Sequence, residues 1–341
     1  MSKTIVLSLE PYIHTPDARL PEGVTYMASS GSLLWVDIFR SEIHKVTNID
    51  DPVKTHSVIK ISSENYRGNY PYSTQFPERI GVIFPVDGPD SVETVLFAGK
   101  YGVGNLDLAS GEWEYLVLYS SCAGLGHKDW SRLRSNDGNV APNGDLYIGI
   151  MNDFHIGVDN TRPPEGCLVR VNIPKRTVTL LYDGIYIPNS VNWNQQRDVM
   201  FLTDSLQFTI WAIPYVSDEP RMAEKTRFID FKPINAEFKS PEPDGSVVDL
   251  RDNTLYSAVY STSKVQAFDA TGALAREFII PDAPNVTCCC VGQGGDLFVT
   301  TANSNVEEGG GSGRGGALFR IPASYITGTG RVASSKPAPS Y

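Results

Sequence analysis

A short motif recurs six times along the chain, and it limits the possible folds more than any other feature of the sequence. Its copies are GSLLWVDI (residues 31–38), TVLFAGKYG (94–102), GDLYIGI (144–150), DVMFLTD (198–204), NTLYSAV (253–259) and GDLFVTT (295–301). Each opens at or just after a turn residue and continues as a β-branched and aromatic run. With Trp35, Phe97, Tyr147, Phe201, Tyr256 and Phe298 taken as equivalent, successive copies lie 62, 50, 54, 55 and 42 residues apart. Several copies are followed by a second recurring piece, one of SEIHKV, YGVGNLDL, GCLVRVNI, FTIWAIPY, SKVQAFDA and GALFRIPA. Apolar and polar residues alternate there as in a half-exposed strand, and Asp, Asn or Pro then begins a turn. Each unit thus supplies two strands and has room for two more, which is the size of a propeller blade. The repeat predicts an all-β fold, a six-bladed β-propeller with four-stranded blades around a central channel.

Length alone, at 341 residues, suggests about two domains. The repeat replaces that reading with a single propeller domain over residues 1–341, with blades from about 17 to 330 and a flexible tail over 331–341. Aromatics at 10%, with 30 Gly and 23 Pro, suit a turn-rich globular chain and exclude disorder, collagen and a coiled coil. A net charge of -10 without any basic cluster argues against nucleic acid as a partner. No stretch approaches the ~18 apolar residues of a membrane span, and the apolar piece at residues 4–9 reads as a strand rather than a signal peptide. The five cysteines, Cys122, Cys167, Cys288, Cys289 and Cys290, suit buried reduced thiols, the consecutive three pointing alternately to the two faces of a strand. The expectation is a cytoplasmic protein, a monomer or weak homo-oligomer, that acts on a small molecule.

Four polar clusters precede strands of different units: Leu20-Pro21-Glu22-Gly23, Arg134-Ser135-Asn136-Asp137-Gly138, Ile187-Pro188-Asn189-Ser190 and Glu242-Pro243-Asp244-Gly245. Any one of them is ordinary turn chemistry. Their return at the same place in different blades, with differing side chains, is what a purely architectural turn does not require. Oxygen donors converging on the axis would make a hard-cation site, favouring Ca, Mg or Mn over Zn. Other chemistries find less support. A formal GxGxxG at Gly311, Gly313 and Gly316 precedes a strand rather than opening a helix, so it reads as a flexible surface loop. Asn285-Val286-Thr287 is a formal glycosylation acceptor, read as silent. No GxSxG or HExxH occurs, and the five histidines, including His127 and His155 in loops, are scattered.

Patterns of the kind EGPxW, RxNDGxxxPxGxxxxGTM, xPNGxxWxxxxxxxYxTDS and PDGxxxDxxGxxW run in order from Glu22 to Arg320. On these motifs the chain resembles the SMP-30/gluconolactonase/luciferin-regenerating enzyme family, whose fold is a six-bladed propeller. The resemblance implies one divalent metal ion held by Glu22, Asn189 and Asp244, with Asn136 reaching it as well. It also implies that Arg134 and Asn136 line a sugar-lactone site. Three motifs depart from the family pattern, EGP becoming EGV, PNG becoming PNS, and GTM becoming Gly149-Ile150-Met151, and none of these changes removes a ligand. Where lactonases of the family carry an acid for substrate hydroxyls, this chain carries Asp153. The implied activity is hydrolysis of a sugar lactone in carbohydrate metabolism. In it, metal-activated water attacks a metal-polarised carbonyl and Asp244 serves as general base. The alternatives are a phosphotriesterase or aryl esterase using the same site, and a non-enzymatic calcium-binding scaffold. For Arg134 a surface ion pair is the plainer alternative.

Overall fold

A computed structural model describes residues 3–15, 17–86 and 94–326; the tail expected at 331–341 lies outside the described residues. The chain winds into six antiparallel sheets whose innermost strands stand side by side in a closed ring, the sixth against the first. Blade 1 comprises Pro21–Met27, Ser32–Asp37, Glu42–Val46 and His56–Lys60, and blade 2 Val82–Pro85, Thr94–Ala98, Gly102–Asp107 and Trp113–Leu118. Blade 3 comprises Leu133–Val140, Leu146–Asn152, Gly166–Asn172 and Thr177–Ile185. Blade 4 runs Pro188–Trp193, Val199–Asp204 and Thr209–Val216, and its outer edge is divided between Glu219–Pro220 and Thr226–Asp230. Blade 5 is Glu242–Asp249, Thr254–Tyr260, Lys264–Phe268 and Leu274–Ile279. Blade 6 takes Val286–Val291, Leu297–Thr301 and Ala317–Ile321 from the end of the chain. The two recurring sequence pieces are therefore the second and third strands of every blade.

The ring is closed by the other end of the chain. Ile13–His14 pairs antiparallel with Leu318 and Ala317 and serves as the fourth strand of blade 6. Lys3–Val6, within the stretch read as a strand at residues 4–9, adds in parallel to the edge of blade 5.

The six equivalent aromatic positions are all buried, and the apolar side chains gather into six clusters, each joining two neighbouring blades. Burying each large aromatic is worth up to about 3 kcal/mol, so the blades cohere through their faces as well as through closure. Cys289 packs between blades 5 and 6, whereas Cys288 and Cys290 pack between blades 6 and 1, as strand alternation requires. All five cysteines are buried, and none forms a disulfide among the described residues. Thr287 of the formal glycosylation acceptor is fully buried in an inner strand. No helix among the described residues is long and apolar enough to cross a membrane.

Candidate active site

The inner strands do not run straight. The register of pairing shifts between Glu22 and Thr25, Ser135 and Gly138, Pro188 and Val191, Pro243 and Ser246, and Val286 and Cys288. A bulge removes residues from the ladder and re-aims their side chains. Repeated at the start of an inner strand in five blades, it turns one side chain per blade toward the axis. The polar sequence clusters of blades 1, 3, 4 and 5 occupy these bulges. In blade 6 the position belongs to Thr287, whose hydroxyl donates to the Pro21 carbonyl at 2.6 Å. Blade 2 pairs in regular register from Val82 and carries apolar Ile80 ahead of it.

Glu22, Asn136, Asn189 and Asp244 meet at the floor of a cavity of about 310 Å³. All four are buried. Asn189 donates through Nδ2 to Asp244 Oδ1 and, at 3.2 Å, to Ser205 Oγ. Asn136 Nδ2 donates to the Pro188 carbonyl at 3.0 Å, and its Oδ1 accepts from Arg134 Nη1 at 2.9 Å. Beneath them Ser190 Oγ donates to Asp137 Oδ2 at 3.0 Å and so ties blade 4 to blade 3. Gly81 of blade 2 supports the same strand from the other side. A Cβ at Gly81 would lie 2.0 Å from the Asn136 carbonyl oxygen, so only glycine fits there.

Burial raises the Glu22 carboxyl well above the usual carboxylate range, and repulsion from Asp244 and Asp137 adds to it. Burial likewise raises Asp244 well above its ordinary value, against the stabilising hydrogen bond from Asn189. Two buried acids that repel one another, beside two amide groups, form an all-oxygen donor set with excess negative charge. A divalent hard cation relieves that excess, so the residues present fit the metal implied by the motifs. Among the described residues no three His, Cys, Asp or Glu side chains form a metal-ligating group.

Arg134 is 4% exposed and lies in the inner strand of blade 3, which excludes the surface ion pair considered as its alternative role. Burial pushes its pKa down to about 10 against the opposing attraction of Asp153. Its guanidinium lies 4.5 Å from the ring centre of Phe154, and among the described residues its Nε has no hydrogen-bond partner. Asp153 is placed differently from the other candidates. It does not line the cavity. Its Oδ2 lies 2.6 Å from Lys100 Nζ and its Oδ1 3.4 Å from Arg79 Nε, all three side chains being buried. Burial alone would raise the Asp153 carboxyl, but Lys100, Arg134 and Arg79 hold it below the usual range. His155 Nδ1 stands 3.8 Å from the same carboxylate, whereas His127 faces Asp183.

The cavity wall includes residues that the motifs do not mark: Phe154, Tyr260, Glu242, Val306 and Glu307. A topological signal for most of them was present. In a four-stranded antiparallel blade the loop from second to third strand emerges on the face where the inner strand begins. Phe154, Tyr260 and Val306 with Glu307 follow or end second strands of blades 3, 5 and 6.

Residues 20–303 match the family described as SMP-30/Gluconolactonase/LRE-like region. An uncharacterized protein of Saccharomyces cerevisiae is 40% identical, covering 98% of this chain and 97% of its own. A pentonolactonase of Haloferax volcanii is 28% identical over 59% of this chain and 65% of its own. The crystal structure of a calcium-binding protein, regucalcin, from Agrobacterium tumefaciens superposes with a TM-score of 0.74 at 20% identity, covering 100% of both chains.

Proposed function

The chain belongs to the SMP-30/gluconolactonase/LRE-like family, and on that premise we propose that it is a metal-dependent hydrolase that opens sugar lactones. The observation that carries this reading is the convergence of Glu22, Asn136, Asn189 and Asp244, from four blades, on the floor of one cavity. The pentonolactonase relative supports the substrate class.

In this reading Glu22 and Asp244 hold the ion through carboxylate oxygens, and Asn136 and Asn189 through amide oxygens. When bound, a divalent cation supplies Lewis acidity to the lactone carbonyl and lowers the pKa of water. The Asp244 carboxylate takes the proton from the attacking water. Hydroxide oxygen bonds to the carbonyl carbon, the ring C–O bond breaks, and the departing ring oxygen receives the proton from Asp244. Arg134, which lines the cavity, holds the lactone by its oxygens. Phe154, Tyr260, Ile187 and Met151 give the cavity an apolar wall that keeps bulk water away. Asp153 acts at one remove, as the anion facing Lys100 and Arg79 beside Arg134.

The test is a substrate panel run on the full chain after chelation and again after adding back Ca, Mg, Mn or Zn. Hydrolysis of aldonolactones restored by a divalent ion supports the reading. Hydrolysis of paraoxon-like esters alone would move the same site to the phosphotriesterase class. Ion binding with no turnover of either substrate type would leave a calcium-binding scaffold.

A further inference from the structure

The glycine-rich segment between the second and third strands of blade 6 is built, not loose. Arg19 Nε donates to the Val306 carbonyl at 2.5 Å, and Asn303 N donates to the Arg19 carbonyl at 2.9 Å. Asn303 Oδ1 accepts from Asn305 N at 2.9 Å and from Gly311 N at 3.0 Å, closing the loop on itself. A Cβ at Gly311 would lie 2.8 Å from the Asn305 backbone nitrogen, so this close approach favours glycine. Farther along, Arg314 N donates to the Asp282 carbonyl at 2.6 Å. The loop thereby sets Val306 and Glu307 in the wall of the cavity.

Glu307 is exposed, and among the described residues no hydrogen bond or ion pair engages its carboxylate. The cavity has four acids in its lining, Glu22, Glu242, Asp244 and Glu307, against one cation, Arg134. A divalent ion and Arg134 together still leave one negative charge in excess. Nη1 of Arg134 is already engaged with Ser135 and Asn136, so it is poorly placed to offset a second anion.

Resting on the lactonase reading, we propose that Glu307 is a specificity-determining residue that confines the site to uncharged polyhydroxy lactones. Its carboxylate accepts hydrogen bonds from hydroxyls remote from the reacting carbonyl and repels a phosphate or carboxylate carried at that end. The blade 6 loop is thus the element that reads the far end of the substrate.

The experiment compares kcat/KM of the metal-loaded full chain for a matched pair, glucono-1,5-lactone and its 6-phosphate, in wild type, Glu307→Gln and Glu307→Lys. Wild type is expected to favour the neutral lactone by about tenfold or more at low ionic strength, as like charges in a confined site repel. The preference falls about threefold in Glu307→Gln and about tenfold in Glu307→Lys. In wild type it also shrinks near 1 M salt, where the screening length is ~3 Å. A neutral-to-anionic ratio that is the same in all three proteins overturns the role of Glu307 and leaves the lactonase reading standing. Failure of metal-loaded wild type to open any lactone overturns that reading, and the proposal with it.

Discussion

The guanidinium of Arg134 lies 4.5 Å from the ring centre of Phe154, and the ring of Phe154 also lies 5.0 Å from the guanidinium of Arg79. Arg79 in turn stands 4.9 Å from Phe39, whose ring meets Arg19 at 4.5 Å. Guanidinium and aromatic groups thus alternate from the cavity to the loop-bearing face of blade 1. With Phe154, Phe39 and Arg19 half-buried, contacts of this kind are worth about 1 kcal/mol each. Replacing Phe154 with Leu keeps the bulk and removes the ring face. Steady-state kinetics on a lactone should show kcat/KM down about tenfold, mainly through KM, with Phe154→Tyr restoring most of it.

The paired acids give opposite expectations with and without metal. In stripped protein Glu22 and Asp244 repel, so Asp244→Asn should stabilise the chain by about 1–2 kcal/mol near neutral pH while abolishing tight ion binding. The sign follows from their raised pKa values. The stability these acids contribute is fully present below the ordinary carboxylate pKa near 4 and is lost as pH rises through the raised values. Thermal melts of stripped wild type and Asp244→Asn should therefore diverge as pH increases, and saturating metal should reverse their order.

Lys100 and Asp153 form a buried pair at 2.6 Å. Asp153→Asn leaves the ammonium without its counter-charge, at a cost of about 3–5 kcal/mol in urea unfolding. Because the Asp153 carboxyl is held below its usual range, its stabilisation is present above the ordinary carboxylate pKa and is lost as pH falls through the depressed value. The double change Lys100→Met with Asp153→Leu should recover only part of the loss, because Arg79 Nε, 3.4 Å from the Asp153 carboxylate, also loses its counter-charge.

Gly81 tests the floor from outside the ligand set. Gly81→Ala places a methyl group against the Asn136 carbonyl, and overpacking of this kind costs about 1–3 kcal/mol. The displaced strand carries Asn136 with it, so ion affinity measured by calorimetry should weaken about tenfold.

Much of this molecule can be read from its sequence, for identifiable reasons. Second and third strands carry one apolar aromatic face each, so Trp35, Phe97, Tyr147, Phe201, Tyr256 and Phe298 mark every blade. Inner strands are harder to see because their bulges interrupt alternation at the positions that hold Asn136, Asn189 and Asp244. Those bulges made the residues visible as Pro-led polar clusters instead. Ring closure by Ile13 and His14 has no local signature, since its partners lie some 300 residues away. The Lys100 partner of Asp153 lies 53 residues away, again beyond the reach of any local pattern. Glu307 was obscured by the glycines around it, which suggest mobility where the structure has a loop folded tightly on Asn303.

In the proposed function the four-blade oxygen cluster holds the ion on which lactone hydrolysis depends. The most direct test is a titration of chelator-stripped chain with a divalent ion, following heat of binding and glucono-1,5-lactone hydrolysis on the same samples. One binding event per chain is expected, with hydrolysis rising in proportion to occupancy and both lost in Asp244→Ala. Full hydrolysis by stripped protein, or unchanged ion binding and turnover in Asp244→Ala, would contradict the proposed function.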